Sequence, residues 1–222
     1  MSNNARKTKI FKLMIGVFIA LLIVGYGWTK NEKPAETAGT VNVQPSDISD
    51  EEQLKDLIVR LYKWKDKHLP SGDFVPLSNT DSSKYVGIDL DKHTAKLDVL
   101  RRSGFFTDEF LSNYNHIAKT INEQLKNETL VWKVGDFPPF GTGADFWCTC
   151  QDYPSNNPWD NIEVTVDEIG NDNALLRWTW GESTWANDFS YKVTATKING
   201  SWRISYLQGF DPTALFQINE QR

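Results

Sequence analysis

The segment FWCTCQDYP, Phe146 to Pro154, contains both cysteines of the chain, separated only by Thr149. If the segment is extended, Cys148 and Cys150 project to the same side, because side chains alternate along a strand. Zinc needs about four ligands, and no further Cys or His pair at ligand spacing accompanies these two. A thioredoxin-type centre uses two intervening residues at the start of a helix, which this segment does not offer. In an oxidising compartment two neighbouring thiols tend to oxidise, yet so tight a ring is strained and more easily reduced. Cys148 and Cys150 are therefore a candidate disulfide; packed or free thiols, and a redox or metal role, are the alternatives.

Histidine is the next place to look for chemistry, and there are three. His68 falls at the end of an expected helix, where the helix dipole favours a cation. His93 closes DLDKH, Asp89 to His93, whose alternate residues Asp89, Asp91 and His93 could face one way and hold a cation. Asp91 is more simply the N-cap of the next helix. His116 lies between Asn115 and Ile117, beside the apolar stripe of a later helix. FGTGAD, Phe140 to Asp145, lacks the Lys-Ser/Thr of a phosphate loop. There is no Gly-x-Ser-x-Gly motif and no basic stripe interleaved with aromatics. No metal, cofactor or nucleic acid is expected.

Tryptophan is abundant, with nine in the chain. Trp178, Trp180 and Trp202 read as core, whereas Trp147, Trp159 and Trp185 fall in expected loops with Phe140 and Tyr153. Loop aromatics either lid the open end of a small sheet or stand as exposed anchors, where binding energy concentrates. Asp145, Asp152, Asp160, Glu182 and Asp188 occupy the same loops. Aromatic anchors with an acidic rim suit a basic protein partner and would steer its approach. The candidate partner-binding set is Trp147, Asp152, Tyr153, Trp159, Trp185 and Asp188.

The ends of the chain set the compartment. Leu13 to Thr29 carries no charge, near the short end of the ~17–25 residues that span a bilayer. Lys12 can snorkel back to the interface and lengthen the buried run. Arg6, Lys7, Lys9 and Lys12 precede it, which keeps the N-terminus cytoplasmic. A cleaved signal peptide would have a shorter core and end in a small-x-small site, for which Gly25-Tyr26-Gly27 is a poor candidate. The expected organisation is a basic tail at 1–12, an uncleaved inner-membrane anchor at 13–29 and a polar linker at 30–48. A periplasmic domain follows at 49–217, with a short tail at 218–222. Residues 1–33 carry six Lys/Arg against one Glu, so the rest must carry −10 to bring the chain to −5. An acidic exported domain is a poor binder of nucleic acid or anionic headgroups.

Within the domain, Ser49-Asp50-Glu51-Glu52 spells a capping box. Leu54, Leu57, Ile58, Leu61 and Tyr62 follow at helical spacing, and Pro70 and Gly72 end that helix near His68. A short helix is expected over Lys92 to Arg102. A third starts at Thr107 and buries Phe110, Leu111, Tyr114, Ile117, Ala118, Ile121 and Leu125. The last third changes to a period of two: Ile162-Val164-Val166, Leu176-Trp178-Trp180, Phe189-Tyr191-Val193-Ala195 and Trp202-Ile204-Tyr206. Such alternation marks an antiparallel sheet covered on one face. Asn199-Gly200 predicts a two-residue turn pairing Ala195 with Ile204 and Val193 with Tyr206. Helices first and a meander afterwards give an α+β domain.

Three helices folded on a curved antiparallel sheet resemble the cystatin-like cone of nuclear transport factor two. KINGSWRISYLQGFD, Lys197 to Asp211, resembles the last hairpin of a bacterial family of exported or lipid-anchored domains in that superfamily. GFFTDEF, Gly104 to Phe110, resembles the start of their third helix, and DFWCTCQDYP, Asp145 to Pro154, a segment with Gln-Asp before the first long strand. Here that pair is Gln151-Asp152. The chain departs from lipid-anchored relatives in having no cysteine after its apolar run. The superfamily includes enzymes, ligand carriers and protein-binding modules, so the fold alone decides little. Its enzymes often pair His with Asp inside the cone, whereas the inward positions of these strands hold no Asp, Glu or His.

The expected function is thus a membrane-anchored periplasmic binding module and not an enzyme, most concretely an immunity-type inhibitor of an antibacterial toxin. The alternatives are a carrier or sensor of a small ligand, with a cavity among Tyr191, Trp178 and Tyr206, and an enzyme using His93 or His116 with a carboxylate.

Overall fold

Ser49 opens the first helix, α1 (Asp50–His68), with the expected reciprocal bonds. Its hydroxyl accepts from the Glu52 amide at 3.2 Å, and the Glu52 carboxylate accepts from the Ser49 amide at 3.1 Å. Leu54, Leu57, Ile58, Leu61 and Tyr62 form its buried face. In this computed structural model the described residues are 48–69, 72–141, 143–153, 157–181 and 189–217. The expected basic tail, membrane anchor and C-terminal tail, almost all of the linker, and the candidate residues Trp185 and Asp188 lie outside them. Among the described residues no helix is long and apolar enough to cross a membrane.

A small hairpin follows, β1 (Pro76–Ser78) against β2 (Tyr85–Ile88), and then α2 (Leu90–Ser103). Here the structure corrects the sequence reading. Asp89, not Asp91, caps α2, accepting from the Lys92 amide at 3.0 Å. β2 runs to Ile88, so Asp89 is the one residue between strand and helix, and the cap falls to it. Gly104, at φ 74°, ends α2 in the left-handed conformation that glycine adopts without steric cost. α3 (Asp108–Lys126) starts at its expected cap, Thr107, and buries every residue predicted for its inner face.

The last third is a four-stranded antiparallel sheet in sequence order: β3 (Glu163–Ile169), β4 (Asn173–Thr179), β5 (Tyr191–Ile198) and β6 (Ser201–Leu207). A six-residue helix, α4 (Pro212–Gln217), follows. Asn199 and Gly200, at φ 51° and 79°, make the two-residue turn between β5 and β6, as the right-handed twist of the strands requires. Ala195 faces Ile204 as expected. Beyond that pair the register slips, so that Val193 faces Leu207 and not Tyr206. Ser205 is the inserted residue, and its hydroxyl donates to the Thr194 carbonyl at 3.2 Å. A bulge of this kind turns the following side chains over. Leu207 is therefore fully buried, and Tyr206 points out to the Asp211 carboxylate, 3.2 Å away.

The inner face of the sheet presents Leu176, Trp178, Tyr191, Val193, Ala195, Ile204 and Leu207, each without measurable exposure. α1 and α3 pack against this face. The architecture is α+β, with one aromatic-rich core between helices and sheet.

Candidate functional site

The two cysteines form a disulfide, which closes the tip of a tight loop over residues 145–150. The Asp145 amide donates to the Cys150 carbonyl at 3.0 Å, and the Thr149 amide to the Asp145 carbonyl at 2.6 Å. Thr149 takes φ 51° to make this turn. The loop lies across the end of the sheet, and buried phenols fasten its backbone there. Tyr62 donates to the Trp147 carbonyl at 2.7 Å, and Tyr191 to the Phe146 carbonyl at 2.8 Å. Burial, the largest cause, pushes both phenols well above the ordinary tyrosine range, so they act as fixed donors. Gly209 lets the Phe146 carbonyl approach so closely that any Cβ there would collide with it.

This arrangement decides the fate of two loop tryptophans, Trp147 and Trp159. Trp147 is 2% exposed and Trp159 is 4% exposed, which corrects the expectation that they are surface anchors. Trp159 stacks on Tyr62 at 4.6 Å, and Trp147 meets Phe210 edge-on at 5.1 Å. Both complete the aromatic layer at the open end of the sheet, the lid alternative noted above. The space proposed for a ligand among Tyr191, Trp178 and Tyr206 is absent. Trp178 and Tyr191 are wholly buried with rings 5.4 Å apart, and Tyr206 points outward.

The open space lies outside this layer. A cleft of about 490 Å³ runs between the C-terminal end of α1, the turn at Gly72–Asp73, and the disulfide loop. Its floor holds a buried ion pair, Lys96 to Asp73 at 2.9 Å, with side chains 7% and 6% exposed. Asp73 also accepts from Tyr114 at 2.7 Å and from the Trp147 indole at 2.9 Å, and Lys96 donates to the Gly72 carbonyl at 2.7 Å. Hydrogen bonds of this number are what a buried ion pair needs against its desolvation cost. Burial and the adjacent Asp73 charge hold the Tyr114 phenol well above the tyrosine range.

Nearer the mouth, Asp145 accepts from the Trp147 amide at 2.8 Å and from Tyr153 at 2.5 Å. Burial first, and Asp145 second, raise the Tyr153 phenol above its ordinary range. Lys65, with a side chain 15% exposed, stands 3.6 Å from Asp145 and 5.4 Å above the Trp159 ring. Asp66 lines the same mouth, half exposed and 3.9 Å from the same Lys65 ammonium. Tyr153 is exposed on the rim, next to the exposed Asp152. A carboxylate has about four acceptor sites, so Asp145 and Asp66 retain capacity for a cation entering from outside.

Of the predicted partner residues, the structure places Tyr153 on the rim with Asp152 beside it, Trp147 in the wall, and Trp159 beneath Lys65. Sequence reasoning missed Lys65, Asp66, Asp73 and Lys96. One signal was present: His93, Lys96, Leu97 and Leu100 form the buried stripe of α2, and a lysine on such a stripe demands a buried anion. Of the histidines, His68 caps its helix through the Trp64 carbonyl at 2.9 Å, and His116 is exposed on α3. His93 is buried against Asn115 at 3.2 Å, with no carboxylate at hydrogen-bonding distance among the described residues. No group of three or more His, Cys, Asp or Glu among the described residues could hold a metal ion. No protein-family model, curated protein or solved structure matches this chain.

Proposed function

We propose that this chain is a membrane-anchored, periplasm-facing protein-binding module that works by binding and not by catalysis. The observation that carries this reading is the cleft beside the disulfide loop: a mouth where two carboxylates, Asp66 and Asp145, flank the single ammonium of Lys65, with Tyr153 on its rim, in a domain whose sheet interior is filled. A lysine or arginine side chain of a basic partner fits it, with carboxylates for the charge and aromatic faces for the stem. The −10 carried by residues 34–222 supports the same partner chemistry. Helices laid on an antiparallel sheet also agree with the cystatin-like cone that the sequence resembles. In its most specific form the module is an immunity-type inhibitor that captures a basic antibacterial toxin in the periplasm. Export rests on the apolar run at residues 13–29, and a disulfide is in keeping with an oxidising compartment.

The test is affinity capture with residues 46–222 from envelope and secreted extracts of the source organism, followed by native mass spectrometry. The expected result is a basic protein in stoichiometric complex, lost when Asp66→Lys and Asp152→Lys are combined. Both positions are exposed, so these changes leave the core untouched. Failure to capture any protein, or capture indifferent to both reversals, removes this reading.

A further inference from the structure

The cleft beside the disulfide loop carries charges of both signs, and the protein-binding reading uses only its carboxylates. Lys65 is the group left over. Its side chain is 15% exposed, and its ammonium stands 3.6 Å from Asp145 and 3.9 Å from Asp66. Both separations lie beyond hydrogen-bonding distance. An ammonium has three donors to satisfy, and among the described residues this one makes no hydrogen bond. A charge so far removed from water is costly unless it is both paired and hydrogen-bonded, and here only the pairing is met.

The ammonium is nonetheless held in place. It lies 5.4 Å above the Trp159 ring and 6.0 Å above the Tyr153 ring, and ring faces of this kind attract a cation. Asp145 is fixed as well, by the bonds it accepts from the Trp147 amide and from Tyr153. Asp66 is half exposed and accepts no hydrogen bond among the described residues. The floor adds no open charge, since Asp73 and Lys96 pair with each other at 2.9 Å. Between floor and mouth the wall is apolar, formed by Leu69, Ala144, Phe146 and Trp147. One cation with unmet donors, two carboxylates with spare acceptor sites and an apolar wall thus converge on one open space.

We propose that this cleft binds a free α-amino acid with an apolar side chain. Its carboxylate accepts from Lys65, its ammonium donates to Asp66 and Asp145, and its side chain lies against Leu69, Ala144 and Phe146. The match is one of sign and spacing. In an α-amino acid the two charges are separated by a single carbon, and in the mouth Lys65 stands a similarly short distance from each carboxylate. The zwitterion therefore closes a ring of alternating charges in which every group faces its opposite. A ligand with one charge leaves either Lys65 or the carboxylates unserved. Hydrogen bonds between charged groups are roughly twice as strong as neutral ones. A cleft of about 490 Å³ also falls within the ~300–1,000 Å³ of small-molecule sites. This inference does not rest on the protein-binding reading, and the isolated domain tests it without any partner.

The test is an NMR titration of residues 46–222, the compact unit that contains the whole core, with the Trp147 indole N–H in the cleft wall as reporter. Three probes are compared: L-leucine, N-acetyl-L-leucine, which lacks the ammonium, and L-leucinamide, which lacks the carboxylate. The expected result is saturable binding of L-leucine, with each blocked analogue about tenfold weaker, the discrimination of one charge-assisted hydrogen bond. Lys65→Met keeps most of the stem and removes the charge, so the preference for L-leucine over L-leucinamide should disappear. Asp66→Asn, at an exposed position, should shrink the preference over N-acetyl-L-leucine and leave the binding of N-acetyl-L-leucine itself unchanged. Should Lys65→Met fail to fold, Asp66→Asn still decides whether the ammonium is bound in this mouth. Absence of saturable L-leucine binding, equal binding of L-leucine and L-leucinamide to the wild type, or preferences that survive these substitutions overturn the proposal.

Discussion

At the residue scale, Asp73 holds the most interactions in the cleft: one ammonium, one phenol and one indole converge on a single buried carboxylate. An apolar replacement of a whole buried ion pair is often neutral, whereas removing one partner leaves the other charge uncompensated. Asp73→Asn keeps a side-chain oxygen for Tyr114 or Trp147 but removes the negative charge beside Lys96. It is expected to destabilise the domain by about 3–5 kcal/mol, read as a lowered urea midpoint. Asp73→Asn combined with Lys96→Met is expected to recover most of that loss, because the buried ammonium leaves with the carboxylate. A double variant as unstable as the single one would show that the hydrogen bonds, and not the charge pair, hold the turn at Phe74.

At the element scale, sequence pattern was sufficient wherever the determinant was local. The capping box at Ser49, the Thr107 start of α3 and the Asn199-Gly200 turn all stand where the sequence places them, because each is decided by neighbouring residues. The start of α2 was misplaced because the capping pattern alone offers two candidates. Asp89 and Asp91 both offer capping carboxylates, and only the end of β2 at Ile88 selects between them. Asp89→Ala should therefore cost about 0.5–2 kcal/mol, while Asp91→Ala, on the exposed first turn, should change stability by less than about 0.5 kcal/mol. A larger loss for Asp91→Ala than for Asp89→Ala in chemical denaturation would return the cap to Asp91. The bulge at Ser205 left no mark in the sequence, since Trp202-Ile204-Tyr206 and Ile204-Ser205-Leu207 are both acceptable inward sets until the sheet closes. The cleft was legible only in part. Asp73, Lys96 and Asp145 lie far apart in the chain, and no spacing rule joins residues that loops bring together.

At the scale of the whole molecule, the cleft mouth proposed for binding sits apart from the structural core. Trp147 and Trp159, which read as anchors in the sequence, are spent on closing the sheet, so the proposed recognition falls to the charged mouth instead of to these large apolar side chains. Such a surface governs association more than dissociation, since rim charges steer the encounter while packed contacts set the lifetime. For a basic partner captured as proposed, Asp66→Asn with Asp152→Asn is expected to slow association by roughly tenfold at low ionic strength. The dissociation rate should change much less. Raising salt to about 0.5 M should bring wild type and variant together, because the Debye length then falls to a few ångströms. Stopped-flow fluorescence offers the measurement, with the buried indoles as reporters. If the variant instead dissociates faster at an unchanged association rate, these carboxylates make fixed contacts in the complex, and the cleft mouth is a packed interface instead of a steering field.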